Sequence, residues 1–278
     1  MDLSWLQSLI YGLISGLTEF FPVSVQAHQT MMLRLFGTAD SGNLTGFMVR
    51  IAVILALYLN CRDHIEHLRR EQRLLSVPAR RRKRQPDPKK IMELRFMKST
   101  IIPLLLGFLF YFQICDANRN LLMISVLYII NGIVLYYPMT IRSGNKDARS
   151  MSGLDSILLG ICGAFGMVAG LSRIGLITSA AAIRGADREH GLNWAYLLSL
   201  PVLLVYLGFD AFALISGGLG SLGFKVAIGY ALAALGAFLG ASVSLRMMRT
   251  FSRKTGFAGF AYYCWGAALF TFIMFLSI

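Results

Sequence analysis

The stretch TEFFPVSVQAH (residues 18–28) places a carboxylate, a proline, a hydroxyl and an imidazole in an otherwise apolar run. An ionisable side chain such as Glu19 costs on the order of 3 kcal/mol at membrane depth, so it is expected to serve a function. Pro22 cannot continue a helix, and the break frees backbone groups near Ser24 and His28. The stretch therefore predicts two short helices joined at a polar break, instead of one membrane span.

The composition around this stretch is typical of a membrane protein. Of the 278 residues, 56% are hydrophobic and 15% are charged, and the mean hydropathy is +0.61. A water-soluble domain this apolar would aggregate. We therefore expect residues 1–278 to form a single integral membrane domain.

Apolar runs of about 20 helical residues can cross the roughly 30 Å hydrocarbon core of a bilayer. The sequence contains six such predicted spans, at 43–60, 100–116, 121–138, 192–216, 224–245 and 257–278. Two other apolar stretches, 5–36 and 156–183, are interrupted midway by polar and helix-breaking residues. We expect neither of these to cross as a continuous span.

Basic residues predict the orientation, because cytoplasmic loops carry an excess of Lys and Arg. Residues 61–99 contain thirteen Lys or Arg against five Asp or Glu, which predicts a cytoplasmic loop. Its basic run at 80–90 adjoins a span, which favours a topogenic or anionic-lipid role over nucleic-acid binding. Segments 37–42 and 216–223 carry no Lys or Arg and fit the outside. Further basic clusters on the cytoplasmic side are Arg142, Lys146 and Arg149; Arg184 and Arg188; and residues 246–254.

The two interrupted stretches fit this orientation only as re-entrant hairpins, the first from outside and the second from inside. The chain then divides into a first repeat at about 1–140 and a second at about 150–278, each with one hairpin and three spans. An odd number of spans inverts the second repeat, and such repeats meet near the bilayer midplane. The sequence thus predicts an all-α polytopic membrane protein with six transmembrane helices and two re-entrant helical hairpins in an inverted-topology repeat, with both termini outside.

Small and polar residues share one face of the first predicted helix. Ser15 and Glu19 lie on this face with Gly12 and Gly16, whose spacing favours close packing against another helix. His28 alone fits a hydrogen-bonded core histidine, but its position near Glu19 favours a functional role.

A fixed cation lies in the second interrupted stretch, where GLSRIG (170–175) places Arg173 between two glycines. Arginine keeps its charge, and its planar fork matches phosphate oxygens. The N–H groups near Gly170 and Gly175 offer a small anion-binding nest. The alternative is that Arg173 pairs with Glu19 for structure alone. A midplane site with these groups suits an anionic head group on a hydrophobic tail.

With these motifs the chain resembles the undecaprenyl-diphosphate phosphatases of the bacitracin-resistance type, over nearly its whole length. The family's motifs read about E-G-x-T-E-F-x-P-V-S-S-x-G-H and P-G-x-S-R-S-G-x-T, against SGLTEFFPVSVQAH (15–28) and AGLSRIGLI (169–177) here. The matching residues are Glu19, Pro22, Val23, Ser24, His28, Gly170, Ser172, Arg173 and Gly175.

The resemblance implies an enzyme of the bacterial inner membrane that removes the terminal phosphate of undecaprenyl diphosphate at the outer face. It would recycle the lipid carrier of peptidoglycan synthesis and would bind polyprenyl lipid, the membrane and no nucleic acid; a homodimer is left open. The implied catalytic residues are Glu19, Ser24 and His28. The implied phosphate-binding residues are Gly170, Ser172, Arg173, Gly175 and the nearby Thr178.

Four departures from the family pattern fall on the chemistry. Ser15 replaces the family's leading glutamate, and Val25, Ile174 and Ile177 replace hydroxyl residues. The family resemblance implies a divalent cation, Mg²⁺ or Ca²⁺, held by paired carboxylates, whereas Glu19 alone remains here. One carboxylate is a poor Mg²⁺ site unless substrate phosphates and water complete the octahedron.

Arg50 stands where the family usually has a glutamine, about 10 Å into its predicted span at 1.5 Å per residue. It either faces the hairpins and binds phosphate or snorkels to the outer head groups. In the first case the changes at Ser15 and Arg50 add about two positive charges, which would substitute in part for a cation. Three functions follow: the phosphatase, a non-hydrolytic polyprenyl-phosphate binding protein or flippase, and an unrelated anion transporter, which rests on fold analogy alone.

Overall fold

The computed structural model describes residues 3–38, 41–82, 84–110, 113–115, 118, 120–141, 144–217, 224–254 and 257–277. Within these ranges the fold is all-α, as predicted, and its one β-type contact is an isolated bridge between Lys146 and Ala186. The helices are α1 (Trp5–Phe20), α2 (Val25–Leu35), α3 (Asn43–Ser76), α4 (Pro88–Leu106), α5 (Leu121–Thr140), α6 (Gly153–Phe165), α7 (Arg173–Ile183), α8 (Arg188–Gly217), α9 (Phe224–Lys254) and α10 (Ala258–Ser277).

The first interrupted stretch forms the separate helices α1 and α2. Ser4 caps α1 in a reciprocal capping box with Gln7. Pro22 lies in the break, and Ser24 caps α2 by accepting a hydrogen bond from the N–H of Ala27. Since serine at an N-cap satisfies a free backbone donor, α2 starts where the sequence supplies that group. The predicted break is confirmed.

The second interrupted stretch forms α6 and α7 in the same way. Ser172 caps α7 and accepts a hydrogen bond from the N–H of Gly175 at 3.1 Å. Gly170, in the break, has a φ of 97°, and a Cβ there would lie 2.8 Å from the carbonyl oxygen of Ile124. Glycine is therefore required at this position for both its backbone angle and its close contact.

Five helices of the described residues are long and apolar enough to cross a membrane: α3, α5, α8, and most of α9 and α10. The predicted span 100–116 differs, because α4 contains Pro103 and ends at Leu106, where a 3₁₀ turn (Gly107–Phe110) follows. A sixth span and the re-entrant placement of the hairpins stay predictions. Arg142 and most of the segment 216–223 lie outside the described residues.

Most of the basic segment 61–99 is helical instead of an irregular loop, and its cytoplasmic placement stays a prediction. Helix α3 continues to Ser76 and α4 begins at Pro88, so the connection is confined to residues 77–87. The segment is helical because it is rich in Leu, Arg, Glu and Gln, which favour helix. Its positive charge predicts the side of the membrane and not the backbone structure. Its turn is fastened by Glu71, which pairs with Arg84 and accepts the N–H of Asp87.

Glycines bring α1 and α9 into direct backbone contact. A Cβ on Gly12 or Gly16 would overlap the carbonyl oxygens of Ala233 and Ala237 on α9. Gly236 on α9 makes the reciprocal approach, with Leu9 O 2.6 Å from where its Cβ would be. The predicted packing role of Gly12 and Gly16 is confirmed.

The two halves of the chain exchange their first helices. Helix α1 packs on α9, and α6 packs on α4, so each hairpin contacts the middle long helix of the other half. Helices α3 and α8 also pack together across the halves, as do α5 and α10. An inverted repeat predicts this exchange; the repeat boundaries and the inversion in the membrane stay predictions.

Candidate active site

A buried ion pair joins the two interrupted helix pairs. Glu19 lies near the end of α1 and Arg173 begins α7, and Nη2 of Arg173 lies 2.5 Å from Oε1 of Glu19. The two side chains are 8% and 5% exposed, respectively. Nε of Arg173 also donates to Oγ of Ser199 on α8 at 3.3 Å. Because buried charges require a partner, each of these residues explains how the other is tolerated.

A second ion pair lies beside the first. Nε of Arg50 on α3 lies 2.5 Å from Oδ2 of Asp210 on α8, and the Arg50 guanidinium lies 4.7 Å from the ring centre of Tyr206. Arg50 is therefore directed at α8, and the snorkelling alternative is wrong. Asp210 balances the charge of Arg50 within this chain, and the charge difference from the family pattern stays a prediction. Sequence reasoning missed Asp210, although an acidic residue within the apolar run of α8 was a signal for it.

Both ion pairs line two adjoining cavities of about 180 and 140 Å³. Glu19, Gln29 and Arg50 line both cavities. The larger cavity also contains Ser15 and Asp210, and the smaller one contains Val25, Arg173 and Tyr206. The structure therefore brings Glu19, Arg50 and Arg173 together, as the sequence predicted.

A neutral pair of side chains, Ser15 and Gln29, lines the larger cavity beside Glu19. Ser15 is buried, and its hydroxyl accepts a hydrogen bond from Nε2 of Gln29 at 3.1 Å. Gln29 was missed by sequence reasoning, although it directly follows His28 on the short helix α2. These two side chains provide neutral hydrogen-bonding groups on the cavity wall, where a second carboxylate was expected from the family pattern.

His28 lies apart from the two cavities and contacts α5 and α10. Its Nδ1 lies 2.6 Å from the carbonyl oxygen of Ser24 and 2.9 Å from the hydroxyl of Tyr128. Its Nε2 lies 2.6 Å from the hydroxyl of Tyr263, whose ring is stacked at 5.8 Å. Since a carbonyl only accepts, the neutral imidazole carries its proton on Nδ1 and accepts from Tyr263. The tyrosines were missed by sequence reasoning.

Ser24 and Ser172 hold the two helix breaks together. The hydroxyl of Ser24 accepts the N–H of Gly170 at 2.9 Å. The N–H of Ser172 donates to Oδ1 of Asn131 at 2.9 Å, and Nδ2 of Asn131 donates to the carbonyl of Pro22 at 3.2 Å. The N–H groups of Gly170 and Gly175, expected to bind an anion, thus already donate to serine hydroxyls.

Thr178 and its neighbours face away from the cavities. The Thr178 hydroxyl donates to the carbonyl oxygens of Ile174 at 2.7 Å and Gly175 at 3.0 Å, within its own helix. Ile174 and Ile177, at positions where the family resemblance implies hydroxyls, are buried in the apolar core. The structure places Thr178 outside the two cavities, so its predicted contact with phosphate has no support in their geometry.

The residues of this site do not fit a metal ion held by the protein. Within the described part of the chain, no three His, Cys, Asp or Glu side chains converge on a point that could hold one. Glu19 and Asp210 each face an arginine, whose charge competes with any cation for the same oxygens. Both carboxylates of the larger cavity are therefore already paired with arginines, whereas a Mg²⁺ or Ca²⁺ site needs several oxygen ligands free to bind it.

Comparisons with known proteins cover nearly the whole chain, including the helices that carry this site. The family profile described as "Bacitracin resistance protein BacA" matches residues 8–270. "Undecaprenyl-diphosphatase 1" of Shouchella clausii is 30% identical over 277 residues, which cover 98% of this chain and 96% of the relative. "Undecaprenyl-diphosphatase" proteins of Carboxydothermus hydrogenoformans and Methanobrevibacter smithii are each 27% identical. The alignment with the Carboxydothermus protein covers 93% of this chain and 93% of the relative. The alignment with the Methanobrevibacter protein covers 96% of each.

Proposed function

Because the chain belongs to the bacitracin resistance protein BacA family, we propose that it hydrolyses undecaprenyl diphosphate to undecaprenyl phosphate and inorganic phosphate. The observation that carries the proposal is the buried Glu19–Arg173 pair on the cavity wall, beside the Arg50–Asp210 pair. A diphosphate needs fixed cations, and its hydrolysis needs a base, and this cluster supplies both.

Binding and activation are coupled through Arg173. The terminal phosphate competes with Glu19 for the same guanidinium fork, because both are anions with oxygens at a similar spacing. Arg50 offers a second cation on the same cavities, and Ser15 and Gln29 offer hydrogen bonds. When phosphate takes over Arg173, the Glu19 carboxylate is released from its ion pair and becomes available as a base.

The reaction then follows with all atoms accounted for. A water molecule attacks the terminal phosphorus, and Glu19 accepts its proton. The bond between that phosphorus and the bridging oxygen breaks, and the bridging oxygen stays on the lipid as part of its remaining phosphate. Arg173 and Arg50 stabilise the negative charge that develops on the phosphoryl oxygens.

His28 and Ser24 position the site in this proposal. Ser24 bonds to Gly170 and so fixes the two helix breaks relative to each other. His28 bonds to the Ser24 carbonyl and to Tyr128 and Tyr263, which anchors α2 on α5 and α10. Attack by a water molecule is favoured over a phosphorylated His28 because both ring nitrogens already have hydrogen-bond partners.

The setting of this chemistry is an inner membrane crossed by six spans, with 100–116 as the sixth and both interrupted pairs re-entrant. The exchange of α1 and α6 between the halves supports this arrangement. The two helix breaks contact each other through Ser24 and Gly170. Irregular backbone is tolerated at membrane depth where protein surrounds it. In this proposal the lipid diphosphate reaches the cavities from the outer face.

Phosphate release from purified protein supplied with undecaprenyl diphosphate in detergent tests the proposal. We expect turnover from the wild type, none from Glu19→Gln, and wild-type rates from the control Glu66→Gln, which removes a carboxylate on α3 paired with Arg62 and Arg70. Equal rates for Glu19→Gln and wild type would refute the role of Glu19. Tight lipid binding without release by the wild type would instead establish the non-hydrolytic alternative.

A further inference from the structure

An apolar groove lies between α3, α4 and α8, separate from the charged cavities. Its volume is about 340 Å³, and it shares no lining residue with the two cavities at Glu19. Leu204 in its wall is 51% exposed, so the groove is open to the surroundings of the protein. Aliphatic side chains from all three helices line it, among them Ile65, Leu68, Met97, Ile101, Leu200 and Leu204.

One polar group at the rim of this groove is a cation without a compensating charge. Arg69 lines the groove on the same face of α3 as Ile65 and Leu68. In the described ranges no carboxylate oxygen lies within 4 Å of the Arg69 guanidinium. By contrast, Arg70, the next residue, and Arg62 both pair with Glu66. An anion attached to a hydrocarbon chain complements both the apolar groove and the arginine at its rim.

The position of Arg69 along α3 fits the head-group layer of a bilayer. At about 1.5 Å per residue, Arg69 lies about 39 Å along the helix from its start at Asn43. The hydrocarbon core is about 30 Å thick, and the bilayer with its head groups about 40–45 Å. The predicted span of α3 ends at residue 60 and is followed by charged residues, so Arg69 lies beyond the hydrocarbon core, on the side where α3 leaves the bilayer. Leu200 and Leu204 in the opposite wall of the groove lie within the predicted span 192–216.

We propose that this groove binds one anionic glycerophospholipid, with an acyl chain along the aliphatic wall and the phosphate at Arg69. The aliphatic wall accounts for the chain, because it removes apolar surface from contact with water and head groups. The charge accounts for the head group, since residues 61–99 carry thirteen Lys or Arg against five Asp or Glu. A neutral lipid would leave Arg69 uncompensated, and a soluble anion would leave the groove unfilled.

Native mass spectrometry of the detergent-purified full chain tests the site, because it counts bound lipids. The protein is titrated with phosphatidylglycerol and, in parallel, with phosphatidylcholine of the same acyl chains. We expect one phosphatidylglycerol to bind more tightly than phosphatidylcholine. Arg69→Gln should weaken phosphatidylglycerol about fivefold, the effect of one basic residue near an anionic lipid surface, and leave phosphatidylcholine unchanged. Arg70→Gln, the matched control, removes a cation that is already paired and should change neither affinity.

A second pair of variants tests the aliphatic wall. Leu204→Trp fills the groove and should weaken both lipids, whereas Ile102→Trp, at a residue that is 68% exposed and does not line the groove, should weaken neither. Equal binding of the two lipids, or equal effects of Arg69→Gln and Arg70→Gln, would overturn the anionic site. Unchanged binding to Leu204→Trp would show that the bound lipid lies elsewhere.

Discussion

Arg50 of α3 and Asp210 of α8 form an ion pair, 2.5 Å from Nε to Oδ2, on the wall of the cavity that also contains Glu19. With the Glu19–Arg173 pair, the site holds two cations and two anions and is neutral before its ligand arrives. A diphosphate therefore has to displace carboxylates from arginines instead of filling an empty cationic pocket.

The fork of Arg173 gives the first prediction. Arg173→Lys keeps the charge but loses bidentate hydrogen bonding, so binding of the lipid diphosphate should weaken by roughly 1–3 kcal/mol. A direct binding titration measures this. Arg184→Lys at the other end of α7, where the arginine pairs with Asp155, is the control and should bind like wild type. Unchanged affinity for Arg173→Lys would make Arg173 a structural residue.

The Glu19–Arg173 pair should also be visible in stability. Removing one partner leaves a buried charge, which costs about 3–5 kcal/mol, so Glu19→Gln and Arg173→Gln should each destabilise strongly. The double variant leaves no buried charge and should lose much less than the sum of the two single losses. Free energies of unfolding in detergent measure the cycle, and additive losses would show that the two charges do not interact.

Ser15 stands where the family resemblance implies a glutamate, and this predicts how the proposed phosphatase activity depends on metal. Wild-type phosphate release should persist in EDTA, because arginines face both carboxylates of the cavity. Ser15→Glu combined with Arg50→Gln adds a carboxylate four residues before Glu19 and frees Asp210, so this variant should require millimolar Mg²⁺ or Ca²⁺. Loss of wild-type release in EDTA, or a double variant insensitive to metal, would contradict the prediction.

The contact between α1 and α9 predicts an unequal effect of two glycine substitutions. Gly16→Ala places a Cβ against the backbone of Ala237, which cannot move aside as a side chain can, and should destabilise by roughly 1–3 kcal/mol. Gly208→Ala in α8 meets no atom within 4 Å and should be neutral or stabilising, since alanine favours helix. Thermal unfolding in detergent compares them; equal midpoints would exclude the tight seam.

Glu93 on α4, which is hydrogen-bonded to His64 on α3, predicts that stability depends on pH. Burial opposes its ionisation, but hydrogen bonds from His64 and Lys90, both 2.9 Å, lower the pKa of Glu93 from 4.5 to about 2. The lowered pKa stabilises the fold above pH 4.5, and this contribution is lost as the pH falls toward 2.

The destabilisation caused by Glu93→Gln should therefore be larger at pH 5 than at pH 3. Thermal unfolding midpoints at the two values measure it, with Asp63→Asn, at an exposed carboxylate of α3, as the control. A difference that grows on acidification would contradict the assigned sign.

Local rules predicted the helix breaks well. Pro22 and Gly170 lie in the two helix breaks, and Ser24 and Ser172 cap the helices that follow. Glycine spacing also predicted the seam of α1. The length of α3 was missed because positive charge predicts which side of a membrane a segment lies on and not whether it is helical.

The partners within the site were predictable only in part. Glu19 and Arg173 are both ionisable residues in apolar surroundings, which indicated that they share a site. Asp210 met the same criterion, but nothing in the sequence pairs it with Arg50, which lies 160 positions away. His28 was recognised as polar, yet its tyrosine partners come from α5 and α10, and only tertiary packing reveals that they reach it.

The packing of α1 on α9 has a consequence for how the protein is made. Helix α1 leaves the ribosome about 200 residues before α9, which corresponds to roughly 10–40 s at ordinary elongation rates. Arg173 follows Glu19 by about 150 residues, so for most of that interval Glu19 has neither Arg173 nor the α9 surface against which its helix packs. The first half of the chain therefore cannot complete its packing or neutralise this carboxylate until the second half has been made.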